Sequence, residues 1–89
     1  MQAQEIIIIN KLGLHTRAAA KLVATAARFE SLIELGLDDR IVNAKSIMGI
    51  ITLGAGKGTV LNLTVQGADE MAASQAIIDL VNNRFGEQE

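Results

Sequence analysis

The chain has no cysteine, proline, tryptophan or tyrosine. Without cysteine there is no disulfide, thiolate nucleophile, iron–sulfur cluster or cysteine zinc site. A single histidine, His15, rules out a multi-histidine metal centre. Two phenylalanines are the only aromatics, which leaves no platform for stacking bases. Eight basic residues against ten acidic ones give a net charge of −2, a poor basis for binding nucleic acid. The longest aliphatic run, Ile6-Ile7-Ile8-Ile9, is far short of the ~20 residues that span a bilayer. The opening Met-Gln-Ala-Gln-Glu lacks the positive start of a signal peptide. These absences point to a soluble, cytoplasmic protein that binds neither nucleic acid nor membrane.

What remains is aliphatic. Of 89 residues 49% are apolar, mostly 13 Ala, 11 Ile and 10 Leu, enough for one compact core and one domain over 1–89. Glu5–Ile9 is short and β-branched and reads as a buried strand. Asn10–His15, which contains Gly13, reads as a loop. From Thr16 the period changes: Ala19, Leu22, Val23, Ala26 and Phe29 fall on one face of a helix, with Thr16 as its N-cap. Leu32–Leu37 and Arg40–Asn43 are short extended segments around an Asp38-Asp39 turn. Ser46 can cap a short helix over Ile47–Leu53, which Gly54 would stop. Thr59–Gln66 alternates, with Leu61, Leu63 and Val65 on one side. Asp69 can cap a last helix whose stripe is Ala73, Ala76, Ile77, Leu80 and Val81, ending near Gly86. The order βαββαβα predicts an α+β fold, one antiparallel sheet with its helices on a single face.

Few segments carry chemistry. Gly54-Ala55-Gly56-Lys57-Gly58 has the look of a phosphate cradle, but a Walker loop needs Gly-Lys-Ser/Thr and then a helix. Here Gly58 follows the lysine and a strand comes next, so a plain turn is the better reading. His15 is more informative, because it precedes a helix with Arg17 two positions on. A helix N-terminus offers unpaired N–H groups and positive potential to a phosphate. A neutral imidazole there is a nucleophile, and a guanidinium can hold a transferred phosphoryl group. Ser46 suits an N-cap, and equally an added phosphate at a second helix terminus. Ile47, Met48, Ile50 and Ile51 are too many apolar residues for one face of two helical turns. Some must point outward, as a protein-binding patch would, unless the short helix is simply buried.

Gly13-Leu14-His15-Thr16-Arg17-Ala18-Ala19 resembles the active-site segment of the histidine-containing phosphocarrier (HPr) family of the bacterial phosphotransferase system. Asn43-Ala44-Lys45-Ser46-Ile47-Met48-Gly49-Ile50 is similar to that family's regulatory serine segment, and the resemblance extends over the whole chain. It implies an open-faced β-sandwich, a four-stranded antiparallel sheet with three helices. It implies that His15 takes a phosphoryl group on Nδ1 from phosphorylated enzyme I, charged by phosphoenolpyruvate, and passes it to an enzyme IIA domain. Arg17 matches the assisting arginine, and Ser46 matches a serine modified by an HPr kinase/phosphorylase in bacteria that have one. The family's usual proline is replaced by Ala18, which leaves the first helical turn less pre-set and keeps the charges intact.

On this reading the protein is a monomeric, stoichiometric carrier rather than an enzyme, and it needs no metal or cofactor. Its partners are proteins that dock on Thr16, Ala20, Ile47, Met48 and Ile51, rimmed by Arg17, Lys21 and Lys45. Three rival readings differ in class. A small-ligand regulatory domain of ferredoxin-like topology shares much of the element order and predicts a bound metabolite with no phosphohistidine. A corepressor working through Ser46 alone has no use for the nucleophile at His15. An RNA-binding module is the weakest, for want of aromatics on the sheet.

Overall fold

The computed structural model describes residues 1–89. Its elements follow one another as β1 (Gln2–Ile7), α1 (Thr16–Ala26), β2 (Leu32–Leu37), β3 (Arg40–Asn43), α2 (Ile47–Leu53), β4 (Val60–Gln66) and α3 (Glu70–Asn82). A 3-10 turn, Arg84–Gly86, comes last. The four strands form one antiparallel sheet in the order β1-β4-β2-β3. This is the α+β arrangement that the order of elements predicts, and the open-faced sandwich that the resemblance implies.

Sheet register explains which residues are inside. Leu61 faces Ile6, Leu63 lies opposite Leu35, and Val65 opposite Ile33. All six are buried, and the helices cover them with Leu22, Ile50, Ile77 and Val81. The intervening positions of β4, Asn62 and Gln66 among them, stay exposed on the uncovered side. A sheet covered on one face needs strand residues that alternate, and β4 does so without exception.

β1 differs from its predicted form. It runs Gln2–Ile7 rather than Glu5–Ile9, and only alternate isoleucines of the run are buried: Ile6 and Ile8 lie inside, while Ile7 is 52% exposed. The cause is topological, because the sheet to which β1 belongs is covered on one face only. Two helix starts also differ in how they are capped. His15, not Thr16, occupies the N-cap position of α1, and Phe29 lies beyond its last turn while still packing on the core. Asp69 stands at the start of α3 but does not cap it. Its carboxylate instead accepts from the Glu30 N–H at 2.9 Å, the Ser31 N–H at 3.0 Å and the Ser31 hydroxyl at 2.5 Å. The carboxylate satisfies the loop between α1 and β2 at the expense of its own helix. Ser46 does cap α2, its Oγ accepting from the Gly49 N–H at 3.1 Å, and the left-handed Gly54 ends that helix.

Candidate functional site

The loop between β1 and α1 is set by contacts that leave it little freedom. Gly13 sits at φ +66°, and a Cβ there would lie 2.5 Å from the Ala55 carbonyl oxygen and 2.7 Å from Gly56 Cα. Only glycine tolerates both the conformation and the approach. The Leu14 N–H donates to the same Ala55 carbonyl at 2.8 Å, and Leu14 and Ala55 are both buried. The Gly54–Gly58 segment therefore serves as the floor on which the 13–14 turn rests. From that turn the chain enters α1 at His15.

The first intrahelical bond runs from the Ala19 N–H to the His15 carbonyl at 2.8 Å. The N–H groups of Thr16, Arg17 and Ala18 have no carbonyl partner, and the first turn carries no acidic side chain. Their positive potential is uncompensated by sequence. The His15 ring does not cap the helix and is half-buried beside it. Arg17 lies exposed in the same turn and belongs to none of the salt bridges. Ala18 is fully buried and belongs to the hydrophobic core.

Sequence reasoning missed a neighbour of this ring. Glu87 Oε2 pairs with His15 Nε2, and Glu87 Oε1 accepts from Asn10 Nδ2 at 3.1 Å. Asn10 is fully buried, and the same amide nitrogen donates to the Gly13 carbonyl at 2.8 Å. Hydrogen bonds from His15 and then Asn10 hold the Glu87 carboxyl below the usual carboxylate range. An open depression results, walled by Leu12, Thr16, Arg17 and Ala20 on one side and by Glu87–Glu89 on the other.

Next to it lies an apolar surface. Met48 is 65% exposed, Ile47 is exposed and Ile51 half-buried, whereas Ile50 is wholly in the core. α1 packs against α2, so these side chains continue the surface of Thr16 and Ala20. Leu12, 65% exposed in the loop before His15, belongs to the same region and was not anticipated. The two lysines expected on the rim are engaged otherwise. Lys21 Nζ donates to the Phe85 carbonyl at 2.6 Å and Lys45 Nζ to the Phe29 carbonyl at 2.7 Å. Both cations satisfy backbone carbonyls that turns leave unpaired, which leaves Arg17 as the uncommitted charge beside His15.

Comparison with known proteins identifies the family. A family model described as the PTS HPr component phosphorylation site matches residues 2–83. The chain belongs to the HPr family. It is 52% identical over 89 residues to the phosphocarrier protein HPr of Neisseria meningitidis, covering 100% of both chains. It is 50% identical over 90 residues to that of Pseudomonas aeruginosa, again covering 100% of both. The crystal structure of HPr-C-His from Thermoanaerobacter tengcongensis superposes with a TM-score of 0.96 at 47% identity over 100% of each chain. The family match favours the phosphocarrier reading over a ligand-binding domain of ferredoxin-like topology. None of its helices is long and apolar enough to cross a membrane.

Proposed function

We propose that the protein, as one domain over 1–89, carries a phosphoryl group on His15 Nδ1 from phosphorylated enzyme I to an enzyme IIA domain. The observation that supports this most directly is the ring's place at the mouth of α1. Three unpaired N–H groups and Arg17 lie within one turn of it, and Arg17 lines the same depression. A phosphoryl group on the ring would meet amide donors, the positive helix end and a planar cation. The neutral imidazole supplies the nucleophile, the reaction needs no metal, and the protein is regenerated at each cycle as a stoichiometric carrier.

Docking is assigned to Thr16, Ala20, Ile47, Met48 and Ile51, with Leu12 added and Arg17 as the charged contact. Lys21 and Lys45 act through the carbonyls they hold, by fixing the backbone under this surface. Ser46 is proposed as a regulatory phosphorylation site, open to a kinase because its side chain is exposed at the start of α2. The working form is a cytoplasmic monomer.

The test is incubation with enzyme I and labelled phosphoenolpyruvate. Wild-type protein should take up label that is lost in acid and kept in base, because protonation makes the ring nitrogen of a phosphoramidate a good leaving group. His15→Ala should fold and take up none. Undiminished labelling of that variant would sink the carrier reading.

A further inference from the structure

We propose that Glu87 is a positioning residue for His15: its carboxylate keeps the imidazole proton on Nε2 and so leaves the electron pair of Nδ1 free. The proposal rests on the carrier reading and assigns the group that selects the reactive nitrogen.

A carboxylate only accepts hydrogen bonds, so the ring nitrogen that faces it carries the proton. Glu87 Oε2 faces Nε2, and a neutral imidazole has one N–H, which fixes Nδ1 as the unprotonated atom. The carboxylate is itself oriented. Asn10 Nδ2 donates to Glu87 Oε1 at 3.1 Å and to the Gly13 carbonyl at 2.8 Å, so a backbone group decides which way the amide points. Delivery of Glu87 to this spot is built into the preceding residues. Arg84 and Phe85 have φ of 55° and 54°, followed by Gly86 at 79°, a conformation that L residues avoid. The turn is held by the Phe85 side chain, fully buried, and by Lys21 Nζ on the Phe85 carbonyl. The Lys11 N–H bonded to the Glu89 carbonyl fastens its far side. A strained segment over-determined by its surroundings is where a functional constraint is expected.

The transfer then runs without moving a proton. In acceptance, the Nδ1 pair attacks phosphorus, the bond from phosphorus to the donor atom of enzyme I breaks, and its electrons return to that atom. The positive charge that develops on the His15 ring lies beside the Glu87 carboxylate. In donation, the nucleophile of the acceptor attacks phosphorus and the Nδ1–P electrons return to His15. Because Nε2 has kept its proton, the leaving group is a neutral imidazole rather than an imidazolate.

The amide variant separates this role from a merely structural one. In Glu87→Gln the Asn10 donor claims the carbonyl oxygen, so the NH2 turns to His15 Nε2. That nitrogen must then accept, and the proton moves to Nδ1. Ring 15N spectra of the unphosphorylated protein at neutral pH should show Nε2–H in wild type, mixed tautomers in Glu87→Ala and Nδ1–H in Glu87→Gln. The rate of phosphoryl uptake from enzyme I should fall about tenfold in Glu87→Ala, the loss of one charge-assisted contact. It should fall roughly a hundredfold or more in Glu87→Gln, as wrong-tautomer variants of other imidazole sites do. Thermal midpoints close to wild type would show that both variants are folded. Ring spectra unchanged in both variants, or Glu87→Gln transferring faster than Glu87→Ala, would overturn the proposal. Wild-type protein that accepts no phosphoryl group would defeat the carrier reading, whereas the spectra decide the tautomer lock on their own.

Discussion

Replacing Gly13 with alanine tests whether the His15 turn is rigid because of its floor. Two separate effects act on the variant. The first is conformational: an L residue at φ +66° costs ~1–2 kcal/mol. The second is steric: the new Cβ would stand 2.5 Å from the Ala55 carbonyl oxygen and 2.7 Å from Gly56 Cα, where contact begins near ~3.5 Å. Both atoms belong to backbone, so no side-chain rotation relieves the overlap. The loops must part, which stretches the 2.8 Å bond from the Leu14 N–H to Ala55, worth ~1 kcal/mol. Together these amount to about 2–4 kcal/mol, or roughly 10–25 °C in the melting midpoint of a domain this size.

Gly54→Ala is the matched control. Its φ of +64° is nearly the same, but nothing lies within 4 Å of the added Cβ, so it loses the conformational part alone. Thermal unfolding by circular dichroism should place Gly13→Ala well below Gly54→Ala. Phosphoryl uptake, measured at a temperature where both are folded, should fall by up to ~10²-fold in Gly13→Ala alone, the scale for a 1 Å misplacement of a reacting group. If the two variants melt within a few degrees of each other, the 13–14 turn is not held by the 54–58 loop and the argument for a fixed His15 fails.

Arg17→Ala should slow transfer to enzyme IIA by roughly tenfold to hundredfold, the equivalent of a charge-assisted bond of ~1.5–3 kcal/mol, and should leave the midpoint nearly unchanged; a wild-type rate would reject the assignment. Stability should be lost in acid through Asp69, whose carboxyl is held below its usual 3.8 by the Ser31 hydroxyl and then the Glu30 N–H. A depressed folded-state value stabilises above the unfolded one and is lost as pH falls through the lowered value, so the midpoint should drop below about pH 4 and Asp69→Asn should both lower the neutral-pH midpoint and flatten that acid limb. Ser46→Asp should weaken binding to enzyme I, read by titration calorimetry, with little change in midpoint, since charge at a helix start is tolerated but costly beside apolar Ile47 and Met48. Met48→Asp should give the same binding loss, and equal affinities for wild type and Ser46→Asp would show that no switch acts through this surface.

The parts of the fold that were legible in the sequence are those governed by period and by turn residues. β4 alternates because the sheet has one covered face, and Leu61, Leu63 and Val65 are the residues it buries. The Ser46 cap and the Gly54 stop were legible because a cap is a matter of four or five consecutive residues. Asp69 has the same local signature and fails to cap, since its carboxylate goes to Glu30 and Ser31, 39 and 38 positions away. A local rule lost there to three donors that the local window does not contain. β1 went astray for a related reason. Four consecutive isoleucines carry no alternation of their own, so only the pairing of Ile6 with Leu61 and Ile7 with Val60 decides which of them face the core.

The site divides along the same line. His15, Thr16 and Arg17 are adjacent in the chain, and the helix mouth that gives them their chemistry starts there, so residue type and spacing suffice to find them. Glu87 lies 72 positions from His15, and what aims it is a left-handed turn at Arg84 and Phe85, residues that announce no such conformation. Asn10 fared no better: within its loop it reads as turn chemistry, and its role appears only when one buried amide is seen to bridge the Gly13 carbonyl and the Glu87 carboxylate. What a sequence window can reveal is the nucleophile and the group that would hold the phosphate. The choice between the two ring nitrogens is made from outside that window, by a carboxylate that the fold must carry across the molecule. Substitutions that alter the 84–86 turn without touching the helix mouth should therefore change which nitrogen is available while leaving the phosphate-binding end of α1 in place.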